Sequence, residues 1–233
     1  MTDVAARLAA TNARIRTLAG HWGRDPAEIT LLAVSKGHPA AAVRQAAAAG
    51  QLRFGESYLQ EAATKIDSLA DLELEWHFIG PVQSNKTRDI AARFAWVHGV
   101  DRLRTARRLS EQRPTTLPPL EVCIQVNISG EPSKSGTTLD ALPDLARAVA
   151  SLPRLRLRGL MAIPAPAPEL ERQREPYRRL REARDALAVR GLSLDTLSMG
   201  MSDDLEAAIA EGSTLVRVGT AIFGPRPAAD ARA

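Results

Sequence analysis

One feature constrains this chain more than any other: strand-length apolar runs and helical segments alternate eight times. The apolar runs fall at residues 30–35, 52–55, 76–80, 95–99, 120–128, 157–163, 194–199 and 215–223. The segments between them carry helix signals. One has Pro39 at its opening turn and stops at Gly50. The next repeats apolar residues at Leu59, Ala62, Ala63, Ile66 and Leu69, and a third, after Ser84, places Ile90 and Phe94 on one stripe. Asp101 is positioned to cap a fourth, with Leu103, Ala106 and Leu109 facing inward. Residues 139–152 read as a fifth, with Pro143 in its first turns, and 168–190 as a sixth that Pro176 breaks or delays. Ser202, Asp203 and Asp204 open a seventh that Gly212 ends. An additional helix precedes the first strand, its stripe formed by Val4, Leu8, Ile15, Leu18 and Trp22.

Eight such units in 233 residues predict an (α/β)8 TIM-type barrel with an extra N-terminal helix. The competing open, doubly wound sheet seldom needs eight strands and calls for a glycine-rich phosphate loop, which these junctions lack. No composition break divides the chain, so residues 1–233 are expected to form a single domain, with 113–119 as a surface connection and 225–233 as a frayed tail.

The charge pattern excludes several functions. The chain carries 27 arginines but only four lysines, Lys36, Lys65, Lys86 and Lys134, and its formal net charge is +4. No basic run is interleaved with stacking aromatics, which make up 4% of the residues, so an arginine-biased surface is expected rather than a nucleic-acid binder. The single Cys123 excludes an intramolecular disulfide and a cysteine-cluster zinc site, and its apolar run predicts a buried thiol. No run approaches the roughly 20 apolar residues of a membrane span. The N-terminus lacks a signal-peptide core, so the expected location is cytoplasmic.

In a barrel of this type, ligands bind at the C-terminal ends of the strands. Lys36 ends the first apolar run just before Pro39. There it would stand at the barrel mouth on an apolar floor, and desolvation would favour the neutral amine that Schiff-base chemistry requires. The alternative is an ordinary loop lysine. After the seventh and eighth strands come Gly200 with Ser202, and Gly219 with Thr220, where barrels often cradle phosphate. For Ser202, a plain helix N-cap is the competing role. Alternation turns Cys123, Gln125 and Asn127 to one face of the fifth strand and Val122, Ile124, Val126 and Ile128 to the other. It also places Arg217 in the middle of the last apolar strand, where it must meet a ligand or an internal carboxylate such as Glu56, Glu75 or Asp195. A mouth lysine above a phosphate cradle points to a phosphorylated aldehyde, with pyridoxal phosphate the leading candidate.

Several blocks in order also resemble the pyridoxal phosphate homeostasis protein family. They are Ala33-Val34-Ser35-Lys36, Phe54-Gly55-Glu56-Ser57-Tyr58-Leu59-Gln60-Glu61, Trp76-His77-Phe78-Ile79-Gly80 and Gln83-Ser84-Asn85-Lys86. Val126-Asn127 with Glu131, Lys134 and Gly136 follows, then Leu197-Ser198-Met199-Gly200-Met201-Ser202-Asp203-Asp204 and Arg217-Val218-Gly219-Thr220-Ala221-Ile222-Phe223-Gly224. Ser57 departs from the family's usual asparagine. The resemblance implies the alanine-racemase-like barrel of fold-type III pyridoxal phosphate enzymes, with Lys36 forming the Schiff base. It places Arg217 opposite the pyridine nitrogen and the phosphate near Ser202, Gly219 and Thr220, and adds Ser198, Met199, Gly200, Asn85 and Asn127 to the cofactor-binding set. An arginine there leaves the ring a poor electron sink. The second domain that supplies the racemases' acid/base tyrosine is expected to have no counterpart here.

The expected function is therefore a carrier or buffer of pyridoxal 5'-phosphate, binding it reversibly and supplying apo-enzymes, with a monomer as the expected state. The alternative is a fold-type III racemase or decarboxylase using Tyr58, His77 or His38, although His77 shares a strand face with Ile79 and reads as a core residue. A Schiff-base aldolase fits less well because the lysine lies on the first strand. Lys86 and Lys134 are expected near the mouth, and Lys65 is expected to be surface charge on its helix.

Overall fold

The computed structural model describes residues 4–131 and 134–226. Eight parallel strands close into a barrel in chain order: β1 (Thr30–Val34), β2 (Arg53–Glu56), β3 (Glu75–Phe78), β4 (Trp96–Val100), β5 (Leu120–Gln125), β6 (Leu155–Met161), β7 (Thr196–Ser198) and β8 (Leu215–Val218). Pairing of Thr30 with Leu215 through Ala33 with Val218 closes the ring. Outside lie α1 (Val4–His21), α2 (Ala40–Ala48), α3 (Leu59–Ser68), α4 (Thr87–Arg93), α5 (Leu103–Gln112), α6 (Leu142–Ala150), α7 (Leu170–Val189), α8 (Leu205–Ala210) and α9 (Thr220–Phe223). The alternation thus builds the expected barrel, with α1 as the additional helix.

Strand alternation sorts side chains into two compartments. Ala33, Phe54, Phe78, Val97, Val122, Ile124, Leu160, Leu197, Val216 and Val218 face the helices and join one large apolar shell. Inside the barrel a much smaller apolar cluster of Trp96, Cys123 and Met161 forms a plug. The Cys123 thiol is buried there, and desolvation pushes it up to about 12. Polar side chains also fill the interior: His77, His98, Ser198 and Arg217 are all buried.

Five local expectations are corrected. The helix from Leu170 runs unbroken through Pro176, because a proline removes one backbone bond and Tyr177 and Leu180, both fully buried, anchor the turn that follows. The eighth strand stops at Val218, and the Ile222 and Phe223 amides fold back onto the Gly219 carbonyl. Asp101 does not cap α5; its carboxylate binds Arg102 instead. Arg113 is buried rather than on a surface connection, donating to the Ala91, Phe94 and Pro118 carbonyls. Lys65 is likewise buried, as described below. Of the expected tail, only Pro225 and Arg226 lie within the described residues. No described helix is long and apolar enough to cross a membrane.

Candidate functional site

The polar mouth is assembled mainly where β7, β8 and β1 adjoin. Lys36 follows β1 directly and is half-buried, and its ammonium makes no hydrogen bond or ion pair with a described residue. Burial, then the charges of Arg226 and Arg217, push this amine down from its ordinary 10.5, while Glu56 acts in the opposite sense. Arg226 packs over Gly37, beside Lys36 in the turn.

A second lysine supports this corner from below. Lys65 reaches in from α3 to donate to the Ser35 carbonyl at 2.7 Å and to Glu56 and Glu61, each at 2.6 Å. Its expected role as surface charge is therefore wrong: its long apolar stem crosses the helix–sheet gap and delivers the ammonium to a buried carboxylate. The Ser35 hydroxyl donates to the same Glu56 oxygen at 2.6 Å. Burial pushes the Glu56 carboxyl up against the opposing pull of Lys65 and Ser35. Its other oxygen has no hydrogen-bond partner among the described residues.

Arg217 is 4% exposed and has none of the expected carboxylate partners. Glu56 is taken by Lys65, Glu75 by Arg53 and Asp195 by Arg158. The guanidinium instead donates to Ser198 Oγ at 2.8 Å and to the Ala162 carbonyl at 2.9 Å. That uses two of the five N–H groups of a permanently charged donor. The Ser198 hydroxyl is spent on Arg217 and on His98, so it holds the arginine rather than facing the mouth.

The loop after β7 is joined to β8 by the Arg217 amide, which donates to the Gly200 carbonyl at 2.9 Å. Asp204 fixes this loop by accepting from the Met201 amide at 2.6 Å and the Tyr177 hydroxyl at 2.7 Å. Arg14 of α1 donates to the Ser202 carbonyl. The hydroxyls of Ser202 and Thr220 bind no described residue, and Ser202 does not cap α8, whose N-cap is Asp204. Gly219 lies against β1, where an added Cβ would stand 3.0 Å from the Val34 carbonyl oxygen. The Met199 side chain is buried in the helix-side shell, so this residue offers the mouth only its backbone.

The remaining two candidates lie elsewhere on the rim. Asn127, beyond β5, donates to the Glu131 and Lys134 carbonyls, and Gly136 passes so close that an added Cβ would stand 2.4 Å from the Asn127 amide nitrogen. The Asn127 side-chain oxygen is buried with no partner among the described residues. Asn85 is exposed in the turn after β3, and no hydrogen bond links it to the others. Lys134 pairs with Glu131 at 2.8 Å.

The three acid/base alternatives are poorly placed for a second proton-transfer group. Tyr58 is 55% exposed, His38 packs on Phe223, and His77 is sealed in the barrel interior. A cavity of about 770 Å³ opens at the opposite end, but its charges pair with one another: Arg53 with Glu75, and Arg158 with Glu121 and Asp195. Lys36 and Arg217, neither of which pairs with a described carboxylate, stand at the mouth. An uncommitted amine, a donor-only guanidinium and two free hydroxyls on small-residue loops fit a phosphorylated aromatic aldehyde with a ring acceptor.

Residues 6–227 match the alanine racemase N-terminal domain family. The pyridoxal phosphate homeostasis protein of Pseudomonas aeruginosa is 63% identical over 226 residues, covering 97% of each chain. The chain belongs to the pyridoxal phosphate homeostasis protein family. The Escherichia coli member is 58% identical over 229 residues, covering 97% of this chain and 98% of that one. PipY of Synechococcus elongatus, solved with PLP bound, superposes with a TM-score of 0.84 at 37% identity, covering 95% of this chain and all of the other.

Sequence reasoning missed His98, the burial of Lys65 and the position of Arg226. For His98 a signal existed: it alternates with Val97 in β4, on the same inward face as Trp96. The other two depend on side-chain reach across elements, which periodicity does not report.

Proposed function

We propose that this protein binds pyridoxal 5'-phosphate reversibly and serves its intracellular homeostasis, buffering the reactive aldehyde and passing it to apo-enzymes as a monomer in the cytoplasm. The observation that carries this reading is the Lys36 amine: half-buried, unpaired among the described residues, and lowered from its ordinary 10.5 by burial and then by Arg226 and Arg217. Such an amine is poised to capture an aldehyde covalently, with water as the by-product, and to return it on hydrolysis. Arg217 would offer a spare N–H to the ring nitrogen, and Ser202, Gly219 and Thr220 would receive the phosphate. Ser198 would contribute through Arg217, Met199 and Gly200 through the backbone, and Asn85 and Asn127 from the far rim. The PLP-bound structure of PipY and the shared family support the same reading.

When bound, the cofactor would supply an electrophilic aldehyde and a conjugated ring. The protein's own part is to hold the amine, fix the ring and leave the site open enough for release. Borohydride reduction of the loaded protein, followed by peptide mass mapping, is expected to place a pyridoxyl group on Lys36 and to find none at this site in Lys36→Met. An adduct confined to other residues would overturn the assignment. Exchange of an amino-acid α-proton at ordinary enzymatic rates, dependent on Lys36, would replace the carrier reading with a racemase.

A further inference from the structure

Five polar side chains run through the barrel interior from the mouth to the opposite end. Arg217 donates to Ser198 Oγ at 2.8 Å, and Ser198 Oγ lies 2.7 Å from His98 Nδ1. His98 Nε2 lies 2.9 Å from His77 Nδ1, and His77 Nε2 lies 2.9 Å from Glu75 Oε1. His77 stacks on Trp96 with an interplanar angle of 5°, and both histidines are fully buried.

The two ends fix the direction of every bond between them. Arginine only donates, and an ionised carboxylate only accepts. The hydrogen bond from His77, and then Arg53, which donates to the same Oε1 at 3.0 Å, hold the Glu75 carboxyl below the usual range against partial burial, so it is ionised near neutral pH. With both rings neutral, Ser198 accepts from Arg217 and its single proton goes to His98 Nδ1. The His98 proton therefore sits on Nε2 and goes to His77 Nδ1, and the His77 proton sits on Nε2 and goes to Glu75. Reversing the chain would require a carboxylic acid at Glu75. The charges acting on the histidine pair are Glu75 and Arg53 at one end and Arg217 at the other. Protonating either ring would add a second cation to a desolvated interior.

We propose that Glu75, His77, His98 and Ser198 form a one-directional hydrogen-bond chain that positions Arg217 as the donor to the cofactor's ring nitrogen. The chain links that guanidinium to a carboxylate at the far end of the barrel. It gives Arg217 a counter-charge it lacks by direct contact, and together with the Ala162 carbonyl it fixes the guanidinium plane. Glu75, His77, His98 and Ser198 are positioning residues, and this role rests on the cofactor reading above.

The test has two arms. In ligand-free wild-type protein, ¹⁵N NMR is expected to show His77 and His98 as neutral Nε2–H tautomers that do not titrate between about pH 5.5 and 8.5, where an ordinary histidine would. An Nδ1–H tautomer, or titration of either ring, would overturn the chain. In the second arm, Glu75→Gln is expected to weaken pyridoxal phosphate binding about tenfold and to shift the bound cofactor's absorbance, although it lies four hydrogen bonds from Arg217. Unchanged affinity and absorbance would overturn the positioning role. Borohydride trapping at Lys36 keeps the two readings apart. If trapping succeeds and Glu75→Gln is silent, the chain alone falls; if trapping fails, the cofactor reading falls and the tautomers still decide the chain.

Discussion

Two buried cations in this barrel are handled in opposite ways. Lys65 is closed: its three protons go to the Ser35 carbonyl, Glu56 and Glu61, and it is matched by carboxylates at contact distance. Arg217 is open: its two hydrogen bonds go to a hydroxyl and a carbonyl, and no described carboxylate touches it. A closed cluster is part of the framework. An open one retains unused donors in a desolvated place, a cost that a ligand accepting from them would offset. Both clusters border Lys36, whose backbone neighbour Ser35 binds the first and whose amine feels the charge of the second.

The largest expected effect comes from opening the closed cluster. Lys65→Met leaves Glu56 buried without its cation, and breaking a buried pair on one side costs about 3–5 kcal/mol. Urea unfolding measures this loss directly. Pairing it with Glu56→Leu is expected to recover most of the stability, because burial of that carboxyl is itself unfavourable. A double variant as unstable as the single one would show that Lys65 acts by packing and not by charge.

The open cluster is expected to answer in reverse. Arg217→Met removes a buried charge without a contact counter-ion, so unfolding stability should change by less than about 1.5 kcal/mol. Pyridoxal phosphate affinity should fall at least about tenfold, as expected for a lost charge-assisted hydrogen bond. Equilibrium titration of the cofactor absorbance measures the second quantity. Large destabilisation with unchanged affinity would mean that Arg217 belongs to the framework, and the contrast with Lys65 would collapse.

This contrast was half legible in the sequence. Strand alternation alone turns Arg217 inward, and the junction of an apolar run with Pro39 places Lys36 at the mouth. The barrel was legible for the same reason: its periodicities are local, and eight repeats leave few other topologies. What the sequence hid were partnerships. Lys65 sits on α3 between Ala62 and Leu69, where the helical stripe describes Cα direction and not the reach of a four-carbon stem to Ser35, 30 residues away. Glu56, Glu75 and Asp195 were equally plausible partners for Arg217, since charge type ranks candidates but only the closed ring shows that each is already taken. His98 was hidden because a lone histidine in an apolar strand gains meaning only when β3 and β7 bring His77 and Ser198 to it. Pro176 misled for a related reason, as the buried Tyr177 and Leu180 outweigh one lost backbone bond.

Lys36 provides the finest test, because it carries the open character of Arg217 on a residue that is only half-buried. Its amine is pushed below its ordinary 10.5 by burial and by Arg226 and Arg217. The unfolded chain therefore binds more protons than the folded one at pH values between the lowered value and 10.5, and in that window stability rises with pH. Below the lowered value the folded state bears the full cost of charging Lys36; above 10.5 both states hold it neutral and the cost vanishes. Lys36→Met is accordingly expected to be more stable than the wild type near pH 7, with the gap narrowing as pH approaches 10.5. Solvent screening keeps the effect small, so it is read from paired urea titrations of the two ligand-free proteins at about pH 7 and pH 10. A gap that stays constant with pH would mean that Lys36 is an ordinary solvated lysine, and only Arg217 would then remain as the open charge at the mouth.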